Sequence, residues 1–415
     1  MGSTGVVAYR GNRELNEDEL RAHLASLLRL ENVGVLLGAG ASMGPLGGMT
    51  VGKLWEHFEK KFPESHAWLN QEGFLAPDGA SNPERLLDTI EVTRLEWERS
   101  SRPRLLKQLR AAQADLHRAV IRAAILKQEW WEQPELVGFD SPELGPHREL
   151  LQKLTGARQP AQPSPWVFTT NYDLAIEWAA ESIGLKITNG FDGLHHRTFS
   201  PHNFDLGYRN TLARGEARFG TYDVYLAKLH GSLSWHSSAA DEESAVESAT
   251  RARWEAFRAF LSGTSEEVPG FLVLPSAAKY IQTIGFVLGE LIRRFSEFLS
   301  RPQTCLIVSG YSFSDAHLNR VIASAMRNPT LHLVIYLPEF RASEEGPDAS
   351  GCQPWIKKVV GLALPQVTIV GGGARAYLNQ LVMDLPEAAL FDNQATQIRK
   401  LMAELKGLEG DGGAL

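Results

Sequence analysis

Residues 33–42 constrain the fold more than any other part of the chain. Their first half, VGVLL, is apolar without polar alternation, which is typical of a strand buried on both faces of a parallel sheet. Their second half, GAGAS, replaces bulky side chains by glycine, so a ligand can approach the main chain at Gly38 and Gly40. A helix is expected to begin after Thr50, whose hydroxyl can cap its first turn. This order predicts a phosphate-binding site, because unpaired N–H groups and the helix dipole both attract anions.

Neither of the two common phosphate-binding motifs fits this stretch. In a dinucleotide fingerprint the third glycine would fall on Met43, and Gly44 comes one position late. In a Walker A loop Leu54 would stand where a serine or threonine binds magnesium, and the glycines before Lys53 lack the required spacing. Nucleotide binding and an ordinary strand-to-helix turn are therefore both compatible with this stretch alone.

The composition argues against several classes of protein. The chain has 415 residues, enough for one elaborated domain or two, and its net charge of -7 argues against general affinity for nucleic acid. Two cysteines, Cys305 and Cys352, are too few for a four-thiolate zinc site and indicate a reducing compartment. The sequence lacks a signal peptide, a myristoylation motif and the apolar run of roughly twenty residues that a membrane span needs. We therefore expect a cytoplasmic protein that binds neither a membrane nor, directly, nucleic acid.

Short apolar runs recur along the chain and alternate with helical patterns. This alternation predicts an α/β fold, a Rossmann-like doubly wound parallel sheet. Between the first two runs, stretches 85–99 and 102–131 predict long helices, in which Trp130 and Trp131 are more readily explained as core aromatics than as a subunit contact. The predicted strands are residues 33–37, 166–170, 224–229, 271–274, 304–309, 331–336 and 367–370.

The same patterns predict the domain organisation. A proline-rich linker separates the long helices from the second strand. The predicted parts are an N-terminal helix (1–30), a Rossmann-like domain (31–62 and 163–390) with a variable surface insertion (241–268), a helical insertion (63–162), and a C-terminal helix and tail (391–415).

Small or polar residues follow the predicted strands at the points where the strands end. The segments are GAGAS, TTNYD, LHGS, GYSF and GGG. In doubly wound sheets, ligands bind outside the carboxyl ends of the strands. Because those ends meet at one edge of the sheet, we expect these segments to form a single site.

These segments resemble those of the sirtuin, or Sir2-like, superfamily of NAD-dependent enzymes. Residues 38–42 (GAGAS) are similar to its GAG-x-S loop, and residues 169–173 (TTNYD) to its TQNID turn. Residues 230–232 (HGS) resemble its HGS segment, and residues 310–312 (GYS) its later GTS loop. The resemblance spans Gly38 to about residue 373. It implies a Sir2-type fold with NAD as a substrate and without a metal.

The departures from the sirtuin deacylases indicate a particular branch. The chain lacks the P-D-F-R segment after the glycine loop and the four-cysteine zinc module, and Thr170 and Tyr172 replace the usual Gln and Ile. Residues 310–319 (GYSFSDAHLN) look like the Sir2-like domains of bacterial antiphage defence, such as the Sir2 subunit of Sir2–HerA systems. This implies an NAD+ hydrolase that acts in abortive infection. It further implies a HerA-like ATPase or another defence protein as partner, and a homo-oligomer.

Breaking the nicotinamide–ribose bond requires recognition of the ribose, a placed water molecule and a base. We hypothesise that the Asn171 amide holds the ribose or the water, and that His230 contacts a ribose hydroxyl and acts as general base. By family position, Asp173 would accept a hydrogen bond from the nicotinamide amide. The expected cofactor contacts are the backbone at Gly38, Ala39, Gly40 and Ser42 for the pyrophosphate, and Gly310, Ser312 and the Gly371 region for the adenosine half.

Each of these residues also has a structural explanation. Asn171 and Asp173 could close a turn and cap the next helix, and His230 could be a buried, hydrogen-bonded histidine. A metal site at His195, His196 and His202 is disfavoured because no helical pair with a nearby carboxylate occurs there. The alternative functions are a protein deacylase or ADP-ribosyltransferase, and a subunit that senses NAD or ADP-ribose without turnover.

Overall fold

A computed structural model gives the arrangement of most of the chain. The structure describes residues 7–75, 83–100, 102–138, 141–159, 162–207, 223–237, 245–248, 250–266, 269, 284–343 and 346–387. Its strands are β1 (Val7–Arg10), β2 (Arg13–Leu15), β3 (Asn32–Leu37), β4 (Trp166–Thr169), β5 (Lys186–Thr188), β6 (Phe191–Asp192), β7 (Arg197–Phe199), β8 (Asp223–Lys228), β9 (Trp235–Ser237), β10 (Ala245–Glu247), β11 (Thr304–Ser309), β12 (Leu331–Tyr336), β13 (Arg341–Ser343), β14 (Gly346–Asp348) and β15 (Val367–Gly371).

The structure also contains helices, which surround the large sheet. Its helices are α1 (Glu17–Leu27), α2 (Val51–Lys61), α3 (Pro63–Gln71), α4 (Pro83–Arg99), α5 (Pro103–Ile125), α6 (Gln128–Glu132), α7 (Gly145–Gly156), α8 (Ala175–Ser182), α9 (Thr250–Leu261), α10 (Ile284–Ser300), α11 (Ala316–Ala325), α12 (Pro354–Gly361) and α13 (Leu378–Asp384). Among the described residues, no helix combines the length and the apolarity that crossing a membrane requires.

The large sheet has nine strands within the described residues, in the order β2-β1-β15-β12-β11-β3-β4-β8-β5. The seven strands from β15 to β5 run parallel, whereas β1 is antiparallel to β15 and to β2. Every residue of β3 and β11 is buried, as expected for central strands covered by helices on both faces. The chain extends from β3 to β4 on one side and later returns to β11 on the other side. The predicted α/β, doubly wound, Rossmann-like sheet is confirmed.

The N-terminal part differs from the sequence prediction of a single helix. Helix α1 is preceded by the hairpin of β1 and β2, which extends the sheet beyond β15. The hairpin was missed because strands of four and three residues carry too little periodicity to be recognised. A capping box of Asn16 and Glu19 begins α1.

The long helix predicted over residues 102–131 is wrong in extent, because the chain forms α5 and α6 instead. Leu126 breaks the helix with a φ of 59°, a backbone conformation that no helix can contain. The break turns α6 so that Trp130 and Trp131 pack edge-on against Trp178 of α8. Both indoles are buried, so the prediction that they are core aromatics is confirmed.

Helix α9 contributes to the apolar core, although residues 241–268 were expected to form a surface insertion. Trp254, Phe257 and Phe260 follow one another at three-residue spacing on one face, and all three are buried. Phe257 contacts Trp131 edge-on at 5.4 Å between ring centroids. The flanking acidic residues hid this aromatic face in the sequence. The predicted strand 271–274 and the C-terminal helix and tail (391–415) lie outside the described residues.

Buried histidines predict a loss of stability in acid. His147 of α7 is buried, and its Nδ1 has no hydrogen-bond partner among the described residues. Burial lowers the pKa of His147 to about 4, and that of His117 in α5 also to about 4. In the unfolded chain both imidazoles take up protons near an ordinary pKa of about 6.5. Between these values the unfolded state binds more protons, so the free energy of unfolding falls as the pH falls.

For His147 alone, this difference is worth about 3 kcal/mol between about pH 6.5 and about pH 4. We therefore expect His147→Leu to reduce the pH dependence of stability by close to one proton. Urea denaturation of both proteins, at several values between about pH 7 and about pH 4, measures that slope. An unchanged slope in the variant would contradict the assignment of a neutral, buried imidazole.

Candidate functional site

A cavity of about 450 Å³ lies where the parallel strands of the large sheet end. Segments that follow β3, β4, β8, β11, β12 and β15 all border it. Helices α2 and α5 contribute apolar side chains to its wall. Among the residues predicted from the sequence, those that line the cavity are Ala39, Gly40, Ser42, Asn171, Asp173, His230, Gly310 and Ser312. Gly38 and Gly371, which were also predicted as site residues, lie outside this lining.

The glycine loop after β3 packs directly against the loop after β11. Gly40 N–H donates to the Gly310 carbonyl at 2.9 Å, and Gly38 N–H donates to the Ser309 carbonyl at 3.0 Å. A Cβ added at Gly40 would lie 2.7 Å from the Cα of Gly310, and one at Gly38 would lie 2.5 Å from the Gly310 oxygen. These approaches are too short for any side chain. The glycines are therefore needed for contact between two strand-end loops.

This packing changes the role expected for the glycine loop. The sequence suggested that Gly38 and Gly40 leave room for a ligand, whereas the second loop occupies much of that room. The N–H groups of Gly38, Gly40 and Ala41 are already hydrogen-bonded within the protein. The loop between β3 and α2 also contains two short 3-10 turns before Thr50 caps α2 by accepting from Lys53 N–H at 3.3 Å. The main chain thus offers fewer donors to a pyrophosphate than the sequence indicated.

Ser42 joins the glycine loop to the turn that follows β4. Its hydroxyl donates to Asp173 Oδ2 at 2.7 Å and accepts from Asn171 Nδ2 at 3.0 Å. The turn itself is held by β3, because Thr170 N–H and the Thr169 hydroxyl both donate to the Leu37 carbonyl at 3.0 Å. The Asn171 side chain therefore has a defined orientation at the cavity wall.

Asp173 has protein partners for both carboxylate oxygens. Oδ2 accepts from Ser42, and Oδ1 accepts from the Ala175 N–H at 3.0 Å at the start of α8. This is the helix-capping arrangement that the sequence offered as the structural alternative. Asp173 also lines the cavity. Its contact with a nicotinamide amide remains a prediction.

His230 is paired with a carboxylate from a distant part of the chain. Its Nε2 lies 2.9 Å from Asp315 Oδ2, and both side chains are largely buried, 16% and 22% exposed. Burial acts to raise the pKa of Asp315, but hydrogen bonds from His230 and from two N–H groups of α11 lower it below its ordinary value. A carboxylate in this position fixes the imidazole ring and stabilises its protonated form.

Sequence reasoning did not identify Asp315 as a site residue. Asp315 precedes α11, and its Oδ1 accepts from His317 N–H at 2.7 Å and Leu318 N–H at 3.2 Å. That N-cap was a recognisable local signal. The second role, toward His230, depends on a contact across 85 residues of sequence.

Of the residues predicted to contact the adenosine half, only some line the cavity. Gly310 and Ser312 line the cavity, and the Ser312 hydroxyl lies 2.8 Å from that of Ser314. Gly371 instead packs against the main chain of Phe340, where an added Cβ would lie 2.2 Å from its oxygen. The segment after β15 reaches the cavity further along, at Ala376 and Tyr377.

Two other parts of the cavity wall were missed. Glu339 follows β12, and its carboxylate can accept hydrogen bonds from a ligand in the cavity. Val120, Ala123 and Ala124 of α5 form an apolar wall at helical spacing. The small residues of α5 could have indicated a close approach, but which face they turn to the sheet depends on helix packing.

The histidines considered for a metal site lie elsewhere. His195 and His196 are exposed near the small antiparallel sheet of β6, β7, β10 and β9, and His202 lies 3.7 Å from Asp205. Within the part of the chain that the structure describes, no three His, Cys, Asp or Glu residues are grouped in a way that could hold a metal ion.

Residues 165–350 match the family model of the SIR2-like domain. No protein of curated function matches the chain. The matched residues include Asn171, Asp173, His230, Gly310 and Asp315, whereas the glycine loop after β3 and helix α5 lie outside the match. SIR2-like domains bind NAD, so the match indicates NAD-dependent activity in general. The match shows similarity to the SIR2-like domain over residues 165–350, which include β4, β8, β11 and β12 of the large sheet.

Proposed function

We propose that the protein hydrolyses NAD+ at the nicotinamide–ribose bond and releases nicotinamide and ADP-ribose. The observation that carries this proposal is the meeting of Asn171 and the His230–Asp315 pair at one cavity within a SIR2-like domain. An amide and an oriented imidazole are the groups that placing and deprotonating a water molecule requires.

Hydrolysis of this bond requires little acid catalysis by the protein. Nicotinamide leaves as a neutral molecule, while positive charge develops on the ribose and water attacks its anomeric carbon. In the proposed mechanism, His230 takes a proton from the attacking water or from a ribose hydroxyl, and Asp315 stabilises the imidazolium that forms. The Asn171 amide, held by Ser42, positions the ribose or the water.

The other cavity residues have roles that fit the rest of the substrate. As a carboxylate at the cavity wall, Glu339 would accept hydrogen bonds from ribose hydroxyls of the substrate. The main chain at Ala39, with Gly310 and Ser312 opposite, would hold the pyrophosphate and the adenosine half. The apolar α5 wall would keep bulk water from the reacting carbon.

Hydrolysis is favoured over protein deacylation because the sequence lacks the P-D-F-R segment and has two cysteines instead of a four-cysteine zinc module. We further propose that the enzyme is an antiphage effector in abortive infection. This finer role rests on the likeness of residues 310–319 to Sir2-like defence domains. It includes a homo-oligomer and activation by a partner such as a HerA-like ATPase.

The direct test is to incubate the purified chain with NAD+ and to separate the products by chromatography. We expect nicotinamide and ADP-ribose in equal amounts without any acyl-lysine peptide, and a loss of both in Asn171→Ala. Each candidate partner is added in a parallel reaction, because the proposed partner should raise the rate. Product formation that requires an acyl-lysine peptide would instead indicate a deacylase. Binding of NAD+ without turnover under every condition would indicate a sensing subunit.

The Asp315–His230 pair gives a more specific prediction. Asp315→Asn should lower kcat about 10- to 10³-fold, because an amide cannot stabilise the imidazolium. The melting temperature should change little, since asparagine caps a helix as well as aspartate does. In the control Asp315→Ala, the cap is lost as well, and stability should fall by about 1 kcal/mol. A folded Asp315→Asn protein with the kcat of wild type would rule out this role for Asp315.

A further inference from the structure

Lys228 is a buried cation beneath the candidate site. It ends β8, two residues before His230, and its side chain is only 2% exposed. Its ammonium group donates to the Asp173 carbonyl, lies 3.5 Å from the Tyr172 carbonyl and pairs with Glu177 Oε1 at 2.9 Å. One side chain thus connects β8, the turn after β4 and helix α8.

The surroundings of Lys228 match the three donors of an ammonium group. Burying a charge costs several kcal/mol unless it is paired and its remaining hydrogen-bonding capacity is used. Here a carboxylate and two carbonyls surround it. Burial raises the pKa of Glu177, although Lys228 beside it acts in the opposite direction. Burying the Lys228–Glu177 ion pair therefore costs free energy that an apolar side chain of similar length at residue 228 would avoid.

The carbonyls that Lys228 contacts belong to the turn that carries the proposed site residues. Asn171 directly precedes Tyr172. The Asp173 side chain accepts a hydrogen bond from Ser42, and the Asp173 carbonyl accepts one from Lys228. The Tyr172 carbonyl also accepts from the Leu233 N–H at 3.0 Å, just beyond the HGS segment. Lys228 therefore sets the spacing between the turn and the strand end that carries His230.

We propose that Lys228 is a positioning residue for NAD+ hydrolysis, which fixes the Asn171 turn relative to His230 through its contacts with the Tyr172 and Asp173 carbonyls. This inference rests on the proposed function. Lys228 does not line the cavity, so it acts through the turn and not on the substrate. Its effect should thus be larger on kcat than on KM.

The test must separate positioning from a contribution to stability alone. Lys228→Met leaves Glu177 buried without its cation, so the decisive variant is the double substitution Lys228→Met/Glu177→Leu, which removes both charges. We expect it to fold and to have a kcat roughly 10- to 100-fold below wild type, with KM changed less than about threefold. The amide hydrogens of residues 171–173 should exchange at least about tenfold faster, because the turn has lost its anchor.

Arg294→Met provides a matched control. Arg294 of α10 is a similarly buried cation outside the cavity lining, and it pairs with Glu290 of the same helix and with Asp205 from the segment after β7. Its loss should lower the melting temperature but leave kcat and the exchange of residues 171–173 as in wild type.

The outcomes distinguish this inference from the proposed function. If wild type hydrolyses NAD+ and the folded double variant keeps its kcat within about threefold, Lys228 does not position the site. If wild type releases no nicotinamide under any condition, the proposed function fails, and amide exchange then decides whether Lys228 holds the turn. Unchanged exchange in the double variant would overturn the inference.

Discussion

Replacing His230 by alanine is expected to lower the rate of NAD+ hydrolysis about 10²- to 10⁴-fold, the usual contribution of a general base. The affinity for ADP-ribose should stay within about threefold, because the imidazole acts on the reacting centre and not on the bulk of the substrate. Nicotinamide release measures the first effect, and isothermal titration with ADP-ribose measures the second. The Asp315 pairing makes the prediction sharper, since a histidine held by a carboxylate at a cavity wall is oriented for proton transfer.

His236→Ala is the matched control for this experiment. His236 is a partly buried histidine of β9 that contacts Ser248 and does not line the cavity. Its removal should leave turnover unchanged. A folded His230→Ala protein with wild-type activity would rule out the proposed base and leave the buried-histidine explanation.

Gly310→Ala is expected to have the largest effect on stability, about 3 to 5 kcal/mol. Gly310 has a φ of 68°, and a Cβ there would lie 2.3 Å from the Ala41 nitrogen and 2.9 Å from the Gly40 Cα. Backbone atoms cannot move aside as a flexible side chain can, so the two strand-end loops must separate. Because both loops line the cavity, turnover should fall together with stability.

Gly73→Ala measures the backbone-strain part of that effect without the steric part. Gly73 has a similar φ of 76°, but no heavy atom of the described residues lies within 4 Å of the added Cβ. Its replacement should therefore lower stability only by the strain of a left-handed alanine, about 1 kcal/mol. Chemical denaturation of the two variants measures the difference. Equal losses would mean that the loop contact at Gly310 relaxes freely, contrary to the expected rigid packing.

The sequence predicted the central strands well because they are buried on both faces. The bounds of β3, β11 and β12 agree with the predicted runs to within a residue, since continuous apolar character marks such strands without reference to their neighbours. The two-strand hairpin at the N-terminus and the break at Leu126 were missed. Short edge strands and single positive-φ residues leave little trace in periodicity.

The site was predictable to the extent that topology alone assembles it. Asn171 and His230 follow the neighbouring parallel strands β4 and β8, so their approach to one cavity follows from the sheet order. Their partners do not follow from it. The Asp315 carboxylate and the Lys228 ammonium reach their contacts across 85 and 55 residues, through side-chain directions that no local pattern encodes.

By itself the sequence determined the parallel sheet and the edge at which the polar residues gather, because burial and strand direction are properties of each segment. Only the tertiary structure determined which contacts and hydrogen bonds those residues form. Gly38 and Gly40, which looked like space left for a ligand, are filled by the Gly310 loop. Asp173 caps a helix while it faces the cavity. Such contacts depend on distances between segments far apart in the chain, which become defined only when the sheet has brought the segments together.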